Sequence, residues 1–373
     1  QGLSVTVIDA APQVMPNAFD SEMAEYVKRK LRQAGMRVQT GCRIEAVSGT
    51  ARAEGIATSA GPIAADVVVL AIGVRPATAF LQGSGVALQK GAVVVDEFMR
   101  TNVPDVYAAG DCALVKNMQT GRQQWSAMGS TANLAARALA KTLAGRPTAY
   151  GGCLGTGVVK LLQDLNVGRT GLTEAQARQE GYDVQTAVCV TDDKAHYYPG
   201  AATFVTKLVA DKATRRLLGI QVLGAGAVDK MVDIAVTGIA AGLTLDAFDT
   251  LDFAYAPPFS TAIHPFVQAC YVLENKLAGE FETFTPAQYA AGEAKGYRVL
   301  DVQPAPAIPG ATWVDLAKVT GPLAGIGTDE KLLLVCAKGK RGYFLQNRLK
   351  RFGYTATRVL EGGAFVNVVR AVQ

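Results

Sequence analysis

The sequence predicts a multidomain α/β protein, and three observations carry that reading. Its 373 residues exceed what one hydrophobic core ordinarily organises, so two to four domains are expected. Hydrophobic residues make up 49% and charged residues 18%, and 39 glycines suit buried parallel sheets joined by tight turns. Apolar strands followed by helical stretches open the chain, strands dominate its middle, and strand and helix alternate again at its end.

Charge and cysteine usage exclude several classes. A formal net charge of +5 is modest for this length, and its one dense basic run, residues 338–351, suits a solvated helix face better than a nucleic-acid module. No apolar run reaches the roughly 18 residues of a membrane span, and the first residues read as a strand, so a cytoplasmic protein is expected. The six cysteines, at 42, 112, 153, 189, 270 and 336, contain no CxxC pair and no disulfide framework, and no metal site is expected.

Residues 4–9 form an apolar strand ending in Asp9, and residues 20–33 form a helix stopped at Gly35. This order fits the second strand of a dinucleotide-binding domain, where an acidic strand end accepts the adenosine ribose hydroxyls. Asp9 therefore favours NADH over NADPH. Strands follow around Val38, Ile44 and residues 67–72, the last an apolar run leading to a turn at Gly73. A strand at 93–95, the run from Thr101 to Ala113 ending in Gly110-Asp111, and a helix over 130–143 come next.

The run 101–113 and the apolar strand before Gly73 resemble two segments of the two-dinucleotide-domain disulfide reductases. In that family the first closes the flavin site, its aspartate accepting a ribitol hydroxyl, and the second connects the NAD domain back to the FAD domain. The resemblance implies a partial Rossmann-like FAD/NAD fold, with residues 1–76 as part of an NAD-binding domain and 77–149 as the carboxyl part of an FAD-binding domain. Gly110, Asp111, Asp9 and Gly73 would hold FAD and NADH or NADPH. The Gly-rich fingerprints that should precede Asp9 and the flavin segment do not occur in the sequence. The chain is therefore read as the carboxyl part of a longer protein or an incomplete gene model.

From Tyr150 the pattern changes to strands at 157–162, 184–190, 204–210 and 217–223, then a helix over 227–241. This resembles the α+β dimerisation domain of the same family, spanning 150–279, and implies a homodimer. Two segments, around Tyr197-Tyr198 and around Tyr255, match family segments whose tyrosines reach the neighbouring subunit's redox cysteine. A phenol there can donate a proton to a leaving thiolate, which makes Tyr255 and Tyr197 candidate catalytic residues. His264-Pro265 echoes a general-acid motif, but the glutamate expected five residues on is Ala269, so a structural histidine is expected, as for His196.

Residues 283–373 open with Thr283-Phe-Thr-Pro, continue through strands at 297–301 and 331–335, and carry the loop Cys336-Ala-Lys-Gly-Lys-Arg341 before a helix over 342–352. A cysteine at the carboxyl end of a parallel strand lies where open α/β sheets bind ligands, and a short Gly-containing loop can turn N–H groups toward its sulfur. The positive end of the following helix points the same way, and Lys338 and Lys340 add charge suited to anionic sulfur donors. The segment resembles a rhodanese domain, with Cys336 as sulfur carrier and Arg341 closing the loop, although the usual Asp-x-Arg is Asp301-Val-Gln303. The other five cysteines are expected to be packing residues.

Together these resemblances imply an FAD-dependent NAD(P)H reductase of coenzyme A disulfide, persulfide or polysulfide with a sulfurtransferase-like tail. Hydride would pass from NADH to FAD and on to a cysteine upstream of Gln1. Two alternatives stand beside it: an NADH oxidase or peroxidase, and a dimerising sulfur-carrier module that is no reductase.

Overall fold

The computed structural model describes residues 2–370. Its contacts group the chain into two compact units, one of Gln1–Arg43 with Gly157–Gln373 and one of Ile44–Thr156.

The first unit is centred on an antiparallel sheet in the spatial order Gly157–Leu162, Leu165–Gly171, Leu217–Gly224, Thr203–Asp211 and Val184–Asp192. The strand Leu165–Gly171 is one that sequence reading misses, because Asn166, Gly168, Arg169 and Gly171 interrupt its alternation. Successive strand residues face opposite sides, so Val167 and Gly168 mark the two faces. Val167, Val205 and Leu223 share a core with Phe19, Met23, Tyr26 and Val27 of the helix Ser21–Gln33 and the residues before it. On the other side Gly168 meets Val228 and Val232 of the helix Val228–Ala240, so closely that an added Cβ would lie 2.9 Å from Val232. Gly168 is there because the helix packs onto the backbone itself.

The helix Ser21–Gln33 is pinned to this sheet by charge. Lys207, on Thr203–Asp211, is 0% exposed and ringed by Glu22 at 2.5 Å, Glu174 at 2.8 Å and Asp20 at 3.1 Å. Asp20 precedes the helix without capping it; its carboxylate instead accepts from Gln221 at 2.6 Å and the Glu174 amide at 3.0 Å. Burial alone would push the Asp20 and Glu174 carboxyls up, but the Lys207 ammonium holds both below the usual carboxylate range, helped at Asp20 by these hydrogen bonds and at Glu174 by those from Lys207 and Arg178. A short parallel pair, Thr6–Asp9 with Arg37–Thr40, leads into and out of the helix.

Residues from Thr283 onward build a parallel sheet in the order Thr283–Phe284, Thr357–Leu360, Leu332–Val335, Arg298–Asp301 and Thr312–Trp313. Leu332–Val335 is fully buried, as an apolar central strand of a parallel sheet must be. The helix Pro265–Leu277, begun by proline at its first turn and unmarked in the sequence reading beyond His264-Pro265, leads into this part. Glu361, 1% exposed, joins three elements: it accepts from Lys276 at 2.5 Å, Thr283 at 2.6 Å and the Val188 amide at 2.7 Å.

The second unit holds three short antiparallel sheets, one of them built from Ile44–Ser48, Gly55–Thr58 and Ile63–Ala64, and the helix Gly129–Leu143. Its core is Val93, Val95, Met99, Ala113, Val115, Ala135, Ala138 and Tyr150. The strand expected at 67–72 does not form, and that at 93–95 is reduced to Ala92–Val93. An inner parallel strand exists through the hydrogen bonds of its two neighbours, and no described strand pairs with residues 67–72. Val67, Val69, Leu70, Ile72 and Val74 are 62–82% exposed as a result.

Removing the ammonium in Lys207→Met leaves buried carboxylates unpaired, and urea unfolding is expected to register a loss of about 3–5 kcal/mol. Because the folded Asp20 and Glu174 carboxyls are held low, their stabilisation is present above the ordinary carboxylate range and is lost as pH falls through the folded values. Urea midpoints measured down an acid series should fall for the unsubstituted chain, and less steeply for Asp20→Asn.

Candidate functional site

Cys336 follows the central strand Leu332–Val335 directly, at its carboxyl end. The chain then turns through Gly339, whose φ of +94° suits glycine, into the helix Lys340–Arg351. That turn brings one loop amide onto the sulfur: the Gly339 N–H donates to Cys336 Sγ at 3.1 Å. The expectation of several converging amides reduces to this one, and Cys336 is 2% exposed beside an exposed Ala337.

Arg341 lies in the first turn of the helix, and its Nε donates to the Val302 carbonyl at 2.6 Å. Val302 begins the loop that Asp301 supports from behind, its carboxylate accepting from the amides of Gln303, Ala307 and Ile308 at 2.6–3.0 Å. Arg341 thus ties the cysteine loop to its neighbour. Lys338, expected to face an anionic donor, is instead paired with Asp192 at 2.5 Å, at the end of Val184–Asp192. Lys340 is left as the exposed cation of the loop. The open cleft lined by Trp313, Asp315, Lys318 and Ile326 includes neither Cys336 nor Arg341.

Tyr197 and Tyr255 both stand in water, 71% and 52% exposed. Tyr197 sits in the loop between the strands ending at Asp192 and starting at Thr203, its ring edge-on to His196 at 5.6 Å. Tyr255 lies in an irregular stretch with exposed Leu251, Phe259 and Ile263. No hydrogen bond, ion pair or ring contact among the described residues joins either tyrosine, or Asp9, to the Cys336 loop. Asp9 Oδ1 accepts from the Ala11 amide at 2.9 Å.

His264 caps the helix Pro265–Leu277: its Nδ1 accepts from the Phe266 amide at 3.2 Å, and its ring leans on Phe253 at 5.1 Å. Burial, with Lys230 nearby, lowers it from the usual 6.5 to about 4, so it stays neutral and keeps the acceptor lone pair. Cys189 and Cys270 are buried packing residues. Burial, with Glu361 nearby, pushes the Cys189 thiol up to about 12, and burial with Glu274 raises Cys270 well above its ordinary value. Thiols held protonated in this way are inert.

In the second unit Gly110 has φ of +88°, and an added Cβ would meet Ala132 of the helix Gly129–Leu143 at 3.8 Å. Asp111 is exposed; its backbone carbonyl accepts from Trp125 Nε1 at 2.7 Å, and among the described residues no hydrogen bond or ion pair engages its carboxylate. A glycine turn beside a carboxylate that has no protein partner among the described residues fits a polyhydroxylated ligand such as a flavin. Gly73 has φ of +99° with nothing within 4 Å of an added Cβ, so it serves a turn and is not brought to Asp111 by any described hydrogen bond.

Comparison with known proteins adds an independent line. The family model for pyridine nucleotide-disulphide oxidoreductases matches residues 1–132, and that for the dimerisation domain of the same enzymes matches residues 160–266. The NAD(P)H sulfur oxidoreductase (CoA-dependent) of Pyrococcus furiosus is 37% identical over 276 residues, 74% of this chain and 62% of the relative. The chain thus spans about three-fifths of that relative's length. Among solved structures, the NAD-dependent persulfide reductase from A. fulgidus aligns with a TM-score of 0.92 at 32% identity, covering 98% of this chain and 68% of that one. The reduced CoADR-RHD of Bacillus anthracis aligns with a TM-score of 0.88 at 29% identity, covering 98% and 66%.

His264→Ala should cost about 1 kcal/mol by thermal or urea unfolding, as the loss of a helix cap does, with His264→Asn recovering most of it. Since the folded imidazole titrates near 4 and the free one near 6.5, its contribution is complete above 6.5 and disappears as pH falls through that window. The same unfolding midpoints for His264→Asn should be flat over that interval.

Proposed function

Because the chain belongs to the pyridine nucleotide-disulphide oxidoreductase family, we propose that it serves, as a homodimer, the FAD-dependent reduction of coenzyme A persulfide, polysulfide or disulfide by NADH or NADPH, with Cys336 carrying sulfane sulfur. The observation that carries this reading is the likeness to a persulfide reductase along nearly the whole chain, past the dimerisation segment and into the part that holds Cys336. Residues 283–373 are read as a rhodanese-like module, 150–279 as the dimerisation domain, and the earlier segments as parts of the NAD and FAD domains.

FAD, when bound, supplies two-electron transfer between nicotinamide and sulfur. The chain's own share would be binding: the Asp111 carboxylate would accept a hydrogen bond from a hydroxyl of the flavin's sugar chain, Gly110 would let the backbone lie against it, and Asp9 would receive ribose hydroxyls. Tyr197 and Tyr255, exposed in the dimerisation segment, are assigned to the partner's active centre as hydrogen-bond donors to a leaving thiolate.

At Cys336 the chemistry is a displacement. Its thiolate attacks the outer sulfur of a persulfide donor, the donor's S–S bond breaks, the donor leaves as a thiolate, and Cys336 holds the persulfide anion. No electrons are gained or lost overall. The Gly339 N–H supports the Sγ thiolate before transfer. Exposed Ala337 marks the side from which a small donor approaches, and exposed Lys340 supplies positive charge there.

In the holoenzyme, Cys336→Ala is expected to reduce persulfide transfer to cyanide by about a hundredfold or more, as removal of a nucleophile does, while flavin reduction by NADH stays within about twofold. Asp111→Ala should weaken FAD binding about tenfold in a fluorescence titration, matching loss of one charge-assisted hydrogen bond. Rapid NADH consumption with oxygen but none with a coenzyme A persulfide would replace this reading with an NADH oxidase.

A further inference from the structure

We propose that Arg29, in the helix Ser21–Gln33, is a positioning residue for the Cys336 loop, some three hundred residues away in sequence. The proposal rests on the reading of Cys336 as a reactive thiol and adds to it a residue that never touches the sulfur.

The connection runs through the backbone. The base of the Cys336 loop is held by the short helix Gly363–Val366: the Ala364 amide donates to the Cys336 carbonyl and the Phe365 amide to the Ala337 carbonyl, each at 2.9 Å. These two bonds fix the peptide planes on either side of Ala337. They therefore govern where Gly339 arrives and whether its N–H reaches Sγ at 3.1 Å. The fit has no slack, since a Cβ on Gly363 would lie 2.1 Å from the Cys336 carbonyl oxygen.

A four-residue helix cannot hold such a position alone, because nearly all its carbonyls lack partners within it. Arg29 supplies partners for two of them. Its Nη1 donates to the Val366 carbonyl at 2.7 Å and its Nη2 to the Phe365 carbonyl at 3.1 Å, a two-pronged grip that a guanidinium makes and an ammonium does not. The guanidinium is itself located by the Tyr26 ring beneath it at 5.1 Å, and the same ring stacks on Phe365 at 6.0 Å. Val366 enters the core shared by that helix and the central sheet of the unit. Thus Arg29 holds the clamp, and the clamp sets the loop.

The test is alkylation of the full chain by iodoacetamide over a pH series, followed at each cysteine-containing peptide by mass spectrometry. In Arg29→Ala the ratio of the neutral-pH rate at Cys336 to its high-pH plateau is expected to fall about tenfold, its profile moving up by about one pH unit. Arg29→Lys, which keeps the charge without the fork, should recover part of this. Taking the ratio to the plateau removes any change in mere accessibility. General loosening would also speed labelling of buried Cys189 and Cys270, and a change shared by them overturns the proposal. Unaltered Cys336 profiles in both Arg29 variants overturn it too. If Arg29→Ala does not fold, Gly363→Ala attacks the clamp from the loop side and must give the same upward movement, or the idea fails. Sulfur transfer separates this inference from the one it rests on. An unsubstituted chain that transfers no sulfur but whose Cys336 profile still responds to Arg29 loses the carrier role and keeps the positioning; intact transfer with no response to Arg29 means the reverse.

Discussion

A charge removed from water must find its opposite, and in the first unit two such charges determine what can be adjacent to what. Lys207 draws Asp20, Glu22 and Glu174 onto the sheet, and Glu361 draws Lys276, Thr283 and the Val188 amide onto one point. Neither arrangement adds much net stability compared with a well-packed apolar substitute. Their effect is on register: each charge has one place where its partners converge, so the helix Ser21–Gln33 and the carboxyl-terminal sheet are each located by a group that tolerates no slippage. The geometry at Cys336 inherits that definition from both sides.

The chemistry at Cys336 is less open than its surroundings in sequence suggest. A central parallel strand, a glycine turn and a helix start all lie where sulfur-transfer chemistry would want them, yet among the described residues a single amide reaches Sγ and the residue is nearly covered. Lys338 is occupied by Asp192, so the cationic character of the loop is narrower than a count of lysines implies. What remains is a nearly covered thiol, touched by one described amide and followed by an exposed Ala337.

Much of this was legible in the residues. The strand before Cys336 announced itself by an unbroken apolar run, the helix after it by a glycine and a basic last turn, and the helix Ser21–Gln33 by its apolar spacing and the glycine beyond it. Leu165–Gly171 was not legible, because close helix packing placed glycine where alternation would put a branched residue. Residues 67–72 read as a strand and are not one, since strand formation needs neighbours and a local pattern cannot supply them. Arg29 and Glu361 carried no signal at all: a lone charge in a helix or after a strand says nothing of a partner hundreds of residues distant.

The uncovered run from Val67 to Val74 has a consequence for anyone handling the molecule. An uncovered run of branched apolar side chains, with no proline until Pro76 and flanked by one charge at each end, Asp66 and Arg75, has the composition from which cross-β stacks nucleate. Association between copies at high concentration would start at this uncovered run.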